Sequence, residues 1–167
     1  SSGGVTAFKF RDPDGHPLEF LEFPKAKIPE HWHRATQAMP CQGIDHSAIS
    51  IADTERSLAF YQKLGFRRTS CSTNSGQGQE RLDQLAGVQV VVTALMCANA
   101  APHLELLCYR SAPRNTAVPL KSNDVAATTL VLEGIEELPG SVDACRGRIV
   151  DPDGHASRVS PARRSNN

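Results

Sequence analysis

Two residues in this 167-residue chain stand out for the chemistry their type and setting allow: His46, in Ile44-Asp45-His46-Ser47-Ala48-Ile49-Ser50-Ile51, and Glu105, in Leu104-Glu105-Leu106-Leu107-Cys108-Tyr109. Both runs have the composition of strands, and in a strand alternate residues share a face. Leu104, Leu106 and Cys108 fall on one face, with His103, Glu105 and Tyr109 on the other. His46 shares its face with Ile44, Ala48 and Ser50, away from Ile49 and Ile51. A neutral imidazole with carboxylates suits Fe, Mn, Ni, Co or Zn, whereas Mg favours more oxygen ligands. An ion with open positions polarises neighbouring oxygens of a small molecule while a carboxylate shuttles the proton. Taken alone, a carboxylate between leucines is more often a solvated residue on a half-exposed strand. A lone strand histidine is likewise more often a hydrogen-bonded or exposed group than a ligand.

The elements that must position these residues are organised by a repeat, because Asp-Pro-Asp-Gly-His occurs at Asp12–His16 and again at Asp151–His155. Pro fixes φ at the second position, Asp closes an Asx hydrogen bond, and Gly accepts the positive φ that returns the chain, so the repeat predicts a tight turn between two strands. The flanking alternation predicts a closing hairpin of a partial leading module at residues 1–23, with strands inside Val5–Phe23. Residues 24–43 hold Pro24, Pro29 and Pro40 without sustained periodicity and read as a linker, on which His31-Trp32-His33 is expected to be surface packing.

Residues 44–110 read as one complete unit of strand, helix and further strands. Asp53 is placed to cap the helix, Leu58, Tyr61 and Leu64 recur at helical spacing, and Gly65 is placed to end it. Phe66 to Ser70 resumes an extended run, Asn74 to Gly78 reads as a polar loop, and Glu80 to Leu85 as a short helical turn. Val88 to Met96 and Leu104 to Tyr109 complete the unit as strands. Residues 123–160 read as a shortened or incomplete copy, with a first strand in Val125–Leu132 and a hairpin in Gly147–Ser160, and 161–167 as a tail.

Composition narrows the partners. Lys plus Arg and Asp plus Glu each number 18, so no net field favours nucleic acid or an anionic membrane, and a small-molecule substrate or ligand is the expected partner. No stretch is apolar and long enough to span a bilayer, and the N-terminus lacks a signal-peptide pattern. Cys41, Cys71, Cys97, Cys108 and Cys145 form no CxxC pair and read as reduced thiols of a cytoplasmic protein, Cys108 in the core and Cys41 exposed. Lacking an initiator methionine at Ser1, the chain is expected to begin inside a larger protein.

The passage Gly43-Ile-Asp-His46-Ser-Ala-Ile-Ser-Ile-Ala-Asp53, followed by Ser57-Leu-Ala-Phe-Tyr61-Gln-Lys-Leu-Gly-Phe66, resembles the opening strand and helix of the vicinal-oxygen-chelate superfamily, the glyoxalase, bleomycin-resistance and extradiol-dioxygenase group. His103-Leu-Glu105-Leu-Leu-Cys-Tyr109 and Asp12-Pro-Asp-Gly15-His-Pro-Leu-Glu19-Phe resemble its closing elements. The resemblance implies an α+β fold of repeated βαβββ modules whose mixed sheets curve into a cup with helices outside. It also implies that paired modules enclose a divalent metal ion (Fe, Mn, Ni, Co or Zn), with one ligand from a first strand and one from a last strand. By position these are His46, Glu105 and Glu19, with Glu105 or Glu19 as the proton-shuttling catalytic carboxylate. In the last copy Ala127 and Arg158 stand at the ligand positions, so that copy would add no ligand. The long linker suggests that Glu19 belongs to an upstream domain; pairing of the leading and complete modules would instead bring Glu19, His46 and Glu105 together. The implied activity is isomerase, lyase or ring-cleaving dioxygenase chemistry on a small molecule with vicinal oxygens, and the alternative is a metal-free, drug-sequestering module of the same fold. Modules that need a partner also make a swapped homodimer compatible with the sequence.

Overall fold

The computed structural model describes residues 4–33, 39–97, 102–110, 129–133 and 147–160. It is α+β, with short helices against three open sheets. Strands β1 (Thr6–Arg11) and β2 (Pro17–Glu22) form an antiparallel hairpin in which Lys9 pairs with Glu19 and Phe8 with Phe20. Pairing fixes the faces: Lys9 and Glu19 turn toward the rest of the molecule, while Phe8, Leu18 and Phe20 are exposed.

The second sheet carries the βαβββ order: β3 (His46–Ser50), α1 (Thr54–Lys63), β4 (Arg67–Ser75), α2 (Gln77–Asp83), β5 (Gln89–Met96) and β6 (His103–Tyr109). Its spatial order is β3-β6-β5-β4, with β3 and β6 parallel and the other pairs antiparallel. Asp53 caps α1 as its spacing implied, its carboxylate accepting the Arg56 N–H at 2.9 Å. Gly65 follows the helix at φ +87°, a conformation costly for any residue with a Cβ. The apolar stripe Leu58, Tyr61 and Leu64 packs onto Ile49, Leu95, Leu104 and Leu106, and burial of each such side chain is worth about 1.5–3 kcal/mol. The strand face that carries these leucines is thereby consumed, which leaves His103, Glu105 and Tyr109 on the opposite face, as alternation requires.

Two segments differ from their sequence reading. β4 runs on to Ser75, through Asn74, which was expected in the polar loop, because the antiparallel ladder with β5 supplies partners up to the Ser75–Gln89 pair. α2 occupies Gln77–Asp83, earlier than the expected turn, and stops where Gln84 takes a left-handed conformation at φ 53°.

A third sheet has the order β7-β9-β8, from β7 (Leu130–Glu133), β8 (Arg148–Val150) and β9 (Ala156–Ser160). Ile149 joins the core that α1 covers, with Leu130, Leu132 and Val159 against it. The turn between β8 and β9 plugs the start of α1. Asp153 accepts the Ala52 N–H at 3.1 Å, Arg56 at 2.7 Å and the Ser57 hydroxyl at 3.0 Å; Asp151 accepts the Tyr61 hydroxyl at 3.0 Å. The His155 ring meets the Ser50 carbonyl at 2.7 Å, so this histidine bridges elements rather than merely flanking a turn. The identical turn at Asp12–His16 has the same internal bonds, Asp12 accepting the N–H groups of Asp14 and His16 at 3.0 and 2.8 Å, yet Asp14 is exposed. Among the described residues no helix is long and apolar enough to cross a membrane. Cys108 is buried and Cys41 exposed, while Ala127 and Cys145 lie outside the described residues.

Candidate metal centre

Three elements bring Glu19, His46 and Glu105 together. Parallel pairing sets His46 beside His103 and Ala48 beside Glu105, so the β3 imidazole and the β6 carboxylate share one face of the sheet. Hairpin β1–β2 supplies Glu19 from outside that sheet. His46 Nε2 lies 3.6 Å from Glu105 Oε2 and 3.8 Å from Glu19 Oε2. Two donors held about 2.0–2.2 Å from one ion can be no more than about 4.4 Å apart, and both separations satisfy that limit. The group whose donor atoms all lie within 4.8 Å of one another is, however, Asp45, His46 and His103; either set mixes imidazole nitrogen with carboxylate oxygen, the donors that suit Fe, Mn, Ni, Co or Zn. The hairpin thus faces the β3–β6 sheet, as pairing of the leading and complete modules would require. Arg158 is exposed on β9, opposite Val131 and Arg148, and is not part of this cluster.

Sequence reasoning passed over several neighbours. Asp45 Oδ2 is 3.1 Å from His46 Nδ1 and 3.9 Å from His103 Nδ1, and His103 Nε2 is 3.5 Å from Glu105 Oε1. Trp32, from the linker, donates its indole N–H to Asp45 Oδ1 at 3.5 Å and is half-buried, so the His-Trp-His stretch is more than surface packing. Gly43 makes room for that ring: a Cβ there would meet Trp32 at 2.5 Å. The alternation that grouped His103 with Glu105 was the available signal for His103. No periodicity marks Asp45, which precedes β3.

Charge is balanced tightly here. Burial raises the Glu19 carboxyl above its ordinary range, with Lys9 and His46 opposing and Glu105 adding repulsion. For Glu105 burial pulls upward, but hydrogen bonding from His103 and the charge of His46 outweigh it and hold the carboxyl below the ordinary value. Burial disfavours charge on His46, yet Asp45, Glu105 and Glu19 more than offset it and raise its pKa. Asp45 is lowered, first by the hydrogen bond from His46. At the rim Lys9 bonds Asp83, which also accepts from Gln79 at 2.6 Å, so the hairpin is tied to α2. Burial works against the Lys9 charge, but Asp83 overrides it and raises the pKa. Tyr109 is raised by burial and then by Asp83.

No protein-family model matches the chain, and no curated protein matches it in sequence. Among solved structures, the crystal structure of a glyoxalase family protein from Bacillus cereus is similar, with a TM-score of 0.61 and 12% identity, covering 75% of this chain and 97% of that one. The likeness is one of fold, and it is the fold that the motif around His46 implied.

Proposed function

We propose that the protein is metal-dependent and of the glyoxalase and dioxygenase type, acting on a small molecule with vicinal oxygens by isomerase, lyase or ring-cleaving chemistry. One observation supports this reading above the rest: the carboxylates of Glu19 and Glu105, each from a different strand, both approach His46 Nε2, at 3.8 and 3.6 Å. These three residues would hold the divalent ion, which when bound supplies Lewis acidity toward two neighbouring substrate oxygens. His46 and Glu105 sit on a four-stranded sheet whose other face is packed by α1, so they are rigid supports. Glu19 comes from the separate hairpin, and burial holds its carboxyl above the ordinary range while Glu105 is held below it, which suits Glu19 to take a proton from the substrate and return it. Equal numbers of acidic and basic residues give no net field that would favour nucleic acid or an anionic membrane over a small-molecule substrate.

Elemental analysis of tag-free protein, purified without chelator and then offered Fe, Mn, Ni, Co and Zn in turn, tests the reading. Near-stoichiometric metal that is lost in His46→Ala and Glu105→Ala supports it. Absence of uptake under every condition would replace it with the metal-free binding module, a reading favoured by one feature: protonated His46 can itself neutralise the facing carboxylates.

A further inference from the structure

Asp-Pro-Asp-Gly-His makes one turn twice, but the two hairpins that it closes have different surroundings. Asp12 and Asp151 accept the corresponding pairs of backbone N–H groups at 2.8 to 3.0 Å, and Gly15 and Gly154 have φ values of 88° and 92°. Counting from these matched turns, Phe10, Leu18 and Phe20 of β1–β2 stand where Ile149, Ser157 and Val159 stand in β8–β9. In β8–β9 that face is covered: Ile149 and Ser157 are buried, Val159 packs against the core under α1, and Asp153 closes the start of the helix by accepting from Ala52, Arg56 and Ser57. In β1–β2 it is bare. Phe8 is 63% and Phe20 54% exposed, Leu18 is exposed with them, and Asp14, the counterpart of Asp153, is exposed at the turn. The Phe10 ring stacks on Phe20 at 4.7 Å and on Phe8 at 6.2 Å between centroids, so these side chains form one continuous apolar surface. A hairpin of two strands has little stability of its own in water, and a continuous exposed apolar patch marks a place of association.

We propose that the outer face of the β1–β2 hairpin, with Asp14 at its turn, is a docking surface for an amphipathic helix of a partner protein. The covered hairpin shows the chemistry of the occupant. The positive end of the helix and a basic side chain in its first turn meet the Asp14 carboxylate, as the start of α1 and Arg56 meet Asp153. Its apolar stripe lies over Phe8, Phe10 and Phe20. Because Phe, Leu and Phe replace Ile, Ser and Val, the stripe must be built of smaller residues than the Leu58 and Tyr61 of α1. A second copy of this chain supplies no such helix among the described residues. Its α1 is closed by its own Asp153 and packed on its own core, and its α2 has seven residues and is held to Lys9 through Asp83.

The probe is a labelled synthetic peptide with the sequence of Asp53–Phe66, made as it stands and with Tyr61→Ala. A covalent bridge between Ala59 and Lys63, both exposed on α1, keeps it helical, since so short a helix is marginal alone. In fluorescence anisotropy with the full chain, the Tyr61→Ala peptide should bind more tightly than the unaltered one. Its affinity should fall at least tenfold in Phe20→Ser and about tenfold in Asp14→Ala. Arg56→Ala in the peptide should cost a similar factor, and the two losses at Asp14 and Arg56 should not add. Phe20 and Asp14 are exposed, so both variants should keep the parent's far-ultraviolet dichroism, and they should keep its metal uptake, which separates this test from that of the metal centre. Failure of both peptides to bind overturns the proposal. Binding that persists unchanged in Phe20→Ser places the peptide on another face and overturns it too. So does a parent chain that sediments as a dimer and becomes a monomer in Phe20→Ser, because a second copy then fills the surface.

Discussion

Lys9 of the leading hairpin and Asp83 at the end of α2 form an ion pair in which Asp83 is only 5% exposed, and this contact ties the strand pair that carries Glu19 to the unit that carries His46 and Glu105. Truncating one partner leaves a carboxylate with little access to water, whereas replacing both removes the demand altogether. Lys9→Met should therefore destabilise by about 1–3 kcal/mol, and the pair Lys9→Met with Asp83→Leu should recover most of that loss. Denaturant melts of the two single variants and the double variant check it; additive losses would mean that the pair does not couple the two parts.

Trp32 is the chain's single tryptophan and bonds Asp45, which in turn bonds His46, so its emission reports on the centre from two residues away. Titration with Co or Ni should change the fluorescence in the parent chain and leave it unaltered in His46→Ala. Gly43→Ala should shift the starting spectrum before any metal is added, since the new methyl would meet the indole at 2.5 Å and displace it.

Tyr61 is fully buried, and burial followed by the charge of Asp151 raises its pKa well above the ordinary phenol value. A raised folded-state pKa means that the neutral form is favoured in the native protein. The associated stability is complete below the unfolded value of about 10 and is lost as pH rises through the folded value. Stability should therefore fall above about pH 10, and fall less steeply in Tyr61→Phe, which cannot ionise. Near neutral pH the same variant should cost about 1–3 kcal/mol, because Asp151 loses a donor. Equilibrium unfolding at a series of alkaline pH values separates the two effects.

The two Asp-Pro-Asp-Gly-His turns form a matched pair for mutation. Asp153→Ala removes an acceptor shared by Ala52, Arg56 and Ser57 and should cost about 2–4 kcal/mol. Asp14→Ala, at the corresponding position of the exposed turn, should change stability by less than about 0.5 kcal/mol. Equal effects in thermal melts would mean that the value of these aspartates is local to the turn.

Much of this arrangement is legible in the residues. Alternation in Leu104–Tyr109 placed Glu105 away from the core, and the Asp53, Leu58, Tyr61, Leu64 and Gly65 pattern marked α1 because cap, stripe and stop act locally. What could not be read depends on contacts between distant segments. The expected loop at Asn74 became strand because β5 offered it a ladder, and no local propensity records that. The proximity of Glu19 to His46 depends on how a hairpin before the linker docks on a sheet after it, through Lys9 and Asp83. Asp45 and Trp32 gave no periodic signal, since each lies outside a strand and their contacts with each other and with His46 exist only in the fold.

The parallel β3–β6 pairing has a kinetic corollary. A hairpin such as β5–β6 closes over a short loop, but β3 and β6 meet only after the whole helix and the intervening strands have been spanned, which is the slow kind of contact in folding. His46 and Glu105 are neighbours only once that last zipper has closed. An ion bound between them would thus be captured late: it should slow unfolding of the finished protein and leave the rate of refolding almost untouched.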